Sequence, residues 1–165
     1  MTYLNRPVAP FKIDFLRQEY SGTISDNPEM SLSGSLDNTR ATYSGTTLTL
    51  YSGSHWRIEF GNTLLRQADG LKDLLFLASI YSVTDGAVIG TKGTLSLLPR
   101  SSPTADGWKS RGRVTACALV LSSEISTSID VRFRIEALGS QLKIMSGSNN
   151  TRWQSGIIKI MELPA

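Results

Sequence analysis

The chain has 165 residues, 40% hydrophobic and 19% charged, with a formal net charge of +3. That is the size of one domain with its own core, burying roughly 70% of its unfolded surface, and it excludes a disordered chain of high net charge. A single cysteine, Cys117, excludes an intramolecular disulfide, the spread-out Lys and Arg lack the stripe that nucleic acid needs, and no apolar run approaches the ~18 residues of a membrane span.

Met1 to Pro10 holds no apolar core of signal-peptide length, so the expected setting is a reducing cytoplasm, or a particle assembled there. Residues 1–19 read as an N-terminal arm or an edge strand, set apart from a β-sandwich domain over 20–165. Pro7 and Pro10 stiffen it, and Phe11, Ile13 and Phe15 alternate with Lys12 and Asp14. Those three apolar side chains are candidate contacts of the arm with a neighbouring subunit.

Short strands separated by turn residues follow. Ser31 to Leu36 precedes a turn at Asp37-Asn38, and Ala41 to Tyr43 precedes one at Ser44-Gly45. Thr46 to Tyr51 is joined by Ser52-Gly53-Ser54, which reads as a short hairpin connection. His55 to Phe60 alternates, with Trp56, Ile58 and Phe60 inward and His55, Arg57 and Glu59 outward. Gly61-Asn62 reads as the next turn. Leu64 to Leu77 has some helical spacing, broken by Gly70, and fits a short helix or a loop.

Leu74 to Val83 is apolar on both faces, as a central strand requires. Asp85-Gly86 signals a tight turn. Ala87 to Leu98 follows as a strand kinked by Gly90 and Gly93. Pro99 to Gly112 is the longest irregular segment, and loops of that length are often functional. Val114 to Leu121 is apolar on both parities and belongs in the middle of a sheet. Ser122 to Ser128 is a polar connection.

The clearest pattern comes last. Ile129, Val131, Phe133, Ile135 and Ala137 alternate with Asp130, Arg132, Arg134 and Glu136, a strand with one buried and one wet face. Leu142 and Ile144 resume the pattern after Gly139-Ser140. After a polar loop, Ile157, Ile158, Ile160, Met161 and Leu163 form a heavily apolar final strand. Eight to ten short strands at even spacing make an all-β, antiparallel sandwich.

Chemistry is sparse. His55, the only histidine, sits on an outward parity beside a turn, the place of a solvated residue rather than a general base. Cys117, in an apolar run, reads as a small buried hydrophobe. One His and one Cys make no zinc site, and Asp69 and Asp73 lack a calcium-loop pattern. No Gly-rich phosphate loop is present, and no cofactor is expected. Glu59 and Asp130 are the carboxylates a β-sandwich hydrolase would have to use. Asn149-Asn150-Thr151 matches a glycosylation sequon without a secretion signal to go with it. Trp108, Lys109, Arg111 and Arg113 place an aromatic ring and three cations in the longest loop, the composition of a partner or ligand contact. Trp153, just ahead of the final strand, and Ile157 are candidate subunit contacts.

The order at the C-terminus resembles the trimeric jelly rolls of the TNF/C1q-like class. An alternating strand, Ile129-Asp130-Val131-Arg132-Phe133-Arg134-Ile135, leads to Leu142-Lys143-Ile144, then to Trp153-Gln154-Ser155-Gly156-Ile157-Ile158-Lys159-Ile160. The Ser-Gly-apolar-apolar start of the final strand also looks like bacteriophage virion proteins with related sandwiches, used as head decoration (cement) proteins or tail-fibre tips. The resemblance covers about the last fifth to quarter of the chain and carries over no catalytic or ligand residue. It implies a jelly roll, a homotrimer and a non-enzymatic role in a phage virion assembled in the host cytoplasm, with capsid or tail proteins as partners. The other reading is a carbohydrate-binding jelly roll that holds a cell-surface glycan on Trp108 or Trp56. Neither reading involves nucleic acid, a membrane or a metal.

Overall fold

A computed structural model describes residues 12–19, 31–66, 74–97, 110–138 and 151–165. Their ten strands are β1 (Lys12–Glu19), β2 (Ser31–Ser35), β3 (Ala41–Ser44), β4 (Thr47–Tyr51), β5 (Ser54–Arg66), β6 (Leu74–Ser82), β7 (Ala87–Leu97), β8 (Ser110–Val120), β9 (Ser128–Leu138) and β10 (Thr151–Pro164). All pair antiparallel, in the order β2-β1-β10-β5-β8-β7-β6-β9-β4-β3. The order folds into two stacked sheets, β2-β1-β10-β5-β8 and β7-β6-β9-β4-β3, and the chain is an antiparallel jelly-roll sandwich.

The core lies between the sheets because alternate residues of each strand point inward. One sheet contributes Leu16, Trp56, Ile58, Phe60, Val114, Ile158 and Ile160. The other contributes Leu48, Leu50, Phe76, Ile80, Ile129, Val131, Phe133 and Ile135. Phe60 and Phe133 meet across the layers with ring centroids 5.4 Å apart and planes at 57°. That tilted contact suits the quadrupoles of the two rings. Trp56 is fully buried, and its indole N–H donates to the Tyr51 carbonyl at 3.1 Å.

Both sides of the sandwich are tied. On one side, Leu32 N–H of β2 donates to the Gly45 carbonyl, and the Tyr43 hydroxyl donates to the Gly34 carbonyl. On the other, β7 meets β8 at Thr91 and Cys117, where the Thr91 hydroxyl donates to the Cys117 carbonyl at 3.2 Å. Gly90 and Gly93 allow that junction. A Cβ on Gly93 would overlap the Thr115 carbonyl oxygen, and one on Gly90 would lie 2.6 Å from Ala118 Cα. Gly90 also has φ +71°, a conformation that favours glycine.

The structure departs from the sequence reading at several points. Gly61-Asn62 is no turn: β5 runs unbroken to Arg66, with Asn62 only 1% exposed. Leu64 and Leu65 therefore belong to a strand, not to a helix. Ser52-Gly53 is no hairpin either. β4 pairs with β3 and β9, whereas β5 pairs with β10 and β8, so this short link carries the chain from one sheet to the other. Gly53 makes the corner at φ +93°. Arg111 and Arg113 lie on β8, opposite Leu65 and Thr63, rather than in the long loop. β1 is flanked by β2 and β10.

One polar knot ties the far end of β10 to two other segments. The Glu162 carboxylate accepts from Asn38 Nδ2 at 2.7 Å and from the Ser54 hydroxyl at 2.6 Å, and Arg40 Nε lies 4.0 Å away. Asn38 and Ser54 are each 5% exposed, so Glu162 is the acceptor they depend on.

Candidate functional site: the outer face of the first sheet

Residues directly opposite in an antiparallel pair share a face. The register therefore assembles the outer surface of the first sheet in three rows. Ile13, Met161, Arg57 and Leu119 form one, and Phe15, Lys159, Glu59 and Cys117 form the next. Arg17, Ile157, Gly61 and Thr115 form the third.

Such a face normally meets water and carries polar side chains. This one exposes large apolar groups: Phe15 at 58%, Leu119 at 56%, Ile157 at 44% and Ile13 at 40%. Leu121 continues the patch just past the end of β8. Single exposed apolar residues are ordinary, but several gathered on one face mark a contact surface.

The centre of the face is a hollow of about 470 Å³. Its floor is Gly61, and Phe15, Ile157, Thr115, Cys117, Glu59 and Lys159 stand around it. Gly61 leaves room for what lies over it. A Cβ there would sit 2.7–3.2 Å from the Arg113 guanidinium, which rests on the bare backbone. Arg57 and Glu59 form an ion pair at 2.7 Å on the same face. Cys117, read from sequence as buried, is half-buried, because the outward parity of β8 opens into the hollow.

Several of the residues singled out in the sequence come together here. Ile13, Phe15 and Ile157 share the face, and Arg113 covers its floor. Arg111 is placed by its backbone on β8. Trp153, on β10, pairs with Leu64 of β5, beside a register shift between Trp153 and Ser155. Phe11, Trp108 and Lys109 lie outside the described residues, as do Asp69, Asp73, Leu142, Ile144 and the Asn149 sequon. The sequence reading missed Leu119 and Gly61. Leu119 is masked by a run apolar on both parities, and Gly61 by a dipeptide that elsewhere makes turns.

Other candidates are dispersed. Trp56 is interior and offers no sugar platform. Glu59 and Asp130 stand on different sheets, and each is engaged. Glu59 pairs with Arg57, and Asp130 accepts from the Thr49 hydroxyl at 2.7 Å. They form no carboxylate pair of the kind hydrolysis uses. His55 Nδ1 accepts the Ser122 backbone N–H at 2.9 Å, which ties the 3₁₀ turn at Ser122–Glu124 to the start of β5.

Neither a family model nor a curated protein matches this sequence. Among solved structures, the chain is similar to murine APRIL, a TNF-family jelly-roll protein. The structure determined at pH 5.0 gives a TM-score of 0.56 at 11% identity, and the one at pH 8.0 gives 0.54 at 7%. Each comparison covers 92% of this chain and 100% of the other. At that identity the likeness establishes the TNF-like fold.

Proposed function

We propose that this chain is a non-enzymatic structural subunit that associates as a homotrimer through the outer face of its first sheet, and that the trimer is part of a phage particle. It serves there as a head decoration protein or as the head of a tail fibre. The observation that carries the reading is that Phe15, Ile13 and Ile157, and Leu119 across β5, are exposed large apolar side chains on one sheet face. Closing three copies about a three-fold axis removes those side chains from water without leaving a growing end. The particle role is supported by the order of strands toward the C-terminus and the all-β build, which suit a rigid external piece. Capsid or tail proteins are the partners this role requires.

Size-exclusion chromatography with light scattering tests the association. The wild type elutes at three times the chain mass, while Leu119→Asp and Phe15→Asp elute as folded monomers. A wild-type monomer at high concentration refutes the trimer. Immunogold labelling of particles tests the role: label spread over the shell fits decoration, label at the tail tip fits a fibre head, and unlabelled particles refute both.

A further inference from the structure

The face proposed for self-association is also strongly basic. Arg17, Arg57, Arg113 and Lys159 lie on it or line its hollow, and Glu59 is the only carboxylate among the described side chains there. That carboxylate is already engaged by Arg57 at 2.7 Å. Among the described residues, Arg113 and Lys159 have no ion pair, although both line the hollow. Alone in water, the two cations are solvated and cost little. Covered by a neighbouring copy, they lose that water, and a buried charge without a counter-charge costs several kcal/mol. Every copy brings the same excess, so bringing copies together by this face multiplies the repulsion.

The chemistry around the two cations indicates what relieves it. The Arg113 guanidinium presents a planar set of N–H donors, and the Lys159 ammonium adds a point charge. The guanidinium lies against the bare backbone of Gly61, beside the hollow. At about 470 Å³ the hollow is far larger than one tetrahedral anion, at roughly 30 Å³ per displaced water. An ion alone therefore leaves it open, and a neighbour's side chains are needed to close it.

We propose that the hollow over Gly61 binds a multivalent oxyanion of the phosphate or sulfate class when a second copy of the chain covers it, and that this ion allows so basic a face to close on itself. The inference rests on the self-association reading. Binding and assembly are then linked: the ion favours the assembled form, and assembly favours the ion.

Sedimentation velocity of the full chain, in chloride and in inorganic phosphate at matched ionic strength, tests it. Phosphate is expected to lower the protein concentration of half-assembly by about tenfold, the scale of one charge-assisted hydrogen bond. Arg113→Gln abolishes that difference, Lys159→Gln reduces it, and both keep the wild-type far-UV circular-dichroism spectrum, which shows that the chain still folds. A wild-type trimer with the same midpoint in both salts overturns the anion site and leaves self-association standing. A phosphate effect that survives both substitutions overturns the site as well. If the chain stays monomeric in either salt, the self-association reading fails and takes this inference with it.

Discussion

Replacing Gly90 with alanine tests how the two sheets are joined. Two costs act at this position. The first is backbone: φ +71° is a left-handed conformation, and a Cβ there costs about 1 kcal/mol. The second is steric. The new Cβ would overlap the Cys117 carbonyl oxygen and lie 2.6 Å from Ala118 Cα and 2.7 Å from Ala118 Cβ, against an ordinary contact of roughly 3.5–4.0 Å. β7 must then move away from β8 by more than about 1 Å, beside the bridge between Thr91 and Cys117 that joins the sheets among the described residues. Overpacking of that size costs about 1–3 kcal/mol, for a total of about 2–4 kcal/mol. Gly45→Ala supplies the control. Gly45 has φ +56°, and an added Cβ would meet nothing within 4 Å, so it bears the backbone cost alone, about 1 kcal/mol. Urea unfolding of both variants, with the slope m checked against wild type, measures the difference. Equal losses in the two variants would refute the close-approach argument and leave only glycine's freedom of conformation.

Other expectations follow from the same contacts. Phe133→Ala removes one ring of the inter-sheet pair with Phe60 and is expected to cost about 3–5 kcal/mol, read as a lower urea midpoint; a loss under 1 kcal/mol would mean the core collapses around the gap. Glu162→Ala strands the Asn38 amide and the Ser54 hydroxyl, both 5% exposed, and is expected to cost about 1–3 kcal/mol in the same assay. Wild-type stability in that variant would show that water replaces the carboxylate.

The fold was legible wherever a strand has one dry and one wet side. On β9, Ile129, Val131, Phe133 and Ile135 are all 5% exposed or less, as their spacing requires. Trp56, Ile58 and Phe60 on β5 behave the same way. The turn at Gly86, with φ +66°, was written in Asp85-Gly86. Legibility failed where local chemistry met a long-range partner. Gly61-Asn62 has turn residues, but Gly61 is held between Ile157 and Thr115, and it seats an arginine 52 residues further along the chain. Ser52-Gly53 is short enough for a hairpin, yet β4 and β5 find partners in different sheets. The candidate site was half visible. The period-two pattern put Phe15 and Ile13 on one side of their strand, but only the register shows that Ile157 and Leu119 share that side. No spacing along one strand reveals a hollow built from five.

The place of β10 has a consequence for how the molecule comes into being. Its 14 residues lie between β1 and β5 and hydrogen-bond to both. During synthesis β1 emerges early and waits for a neighbour made more than a hundred residues later. The first sheet thus cannot zip up from its beginning, and closing such long loops places folding in the slow, millisecond-to-second range typical of sandwiches. A chain truncated before Thr151 lacks the strand that joins β1 to β5, and so keeps a gap in mid-sheet.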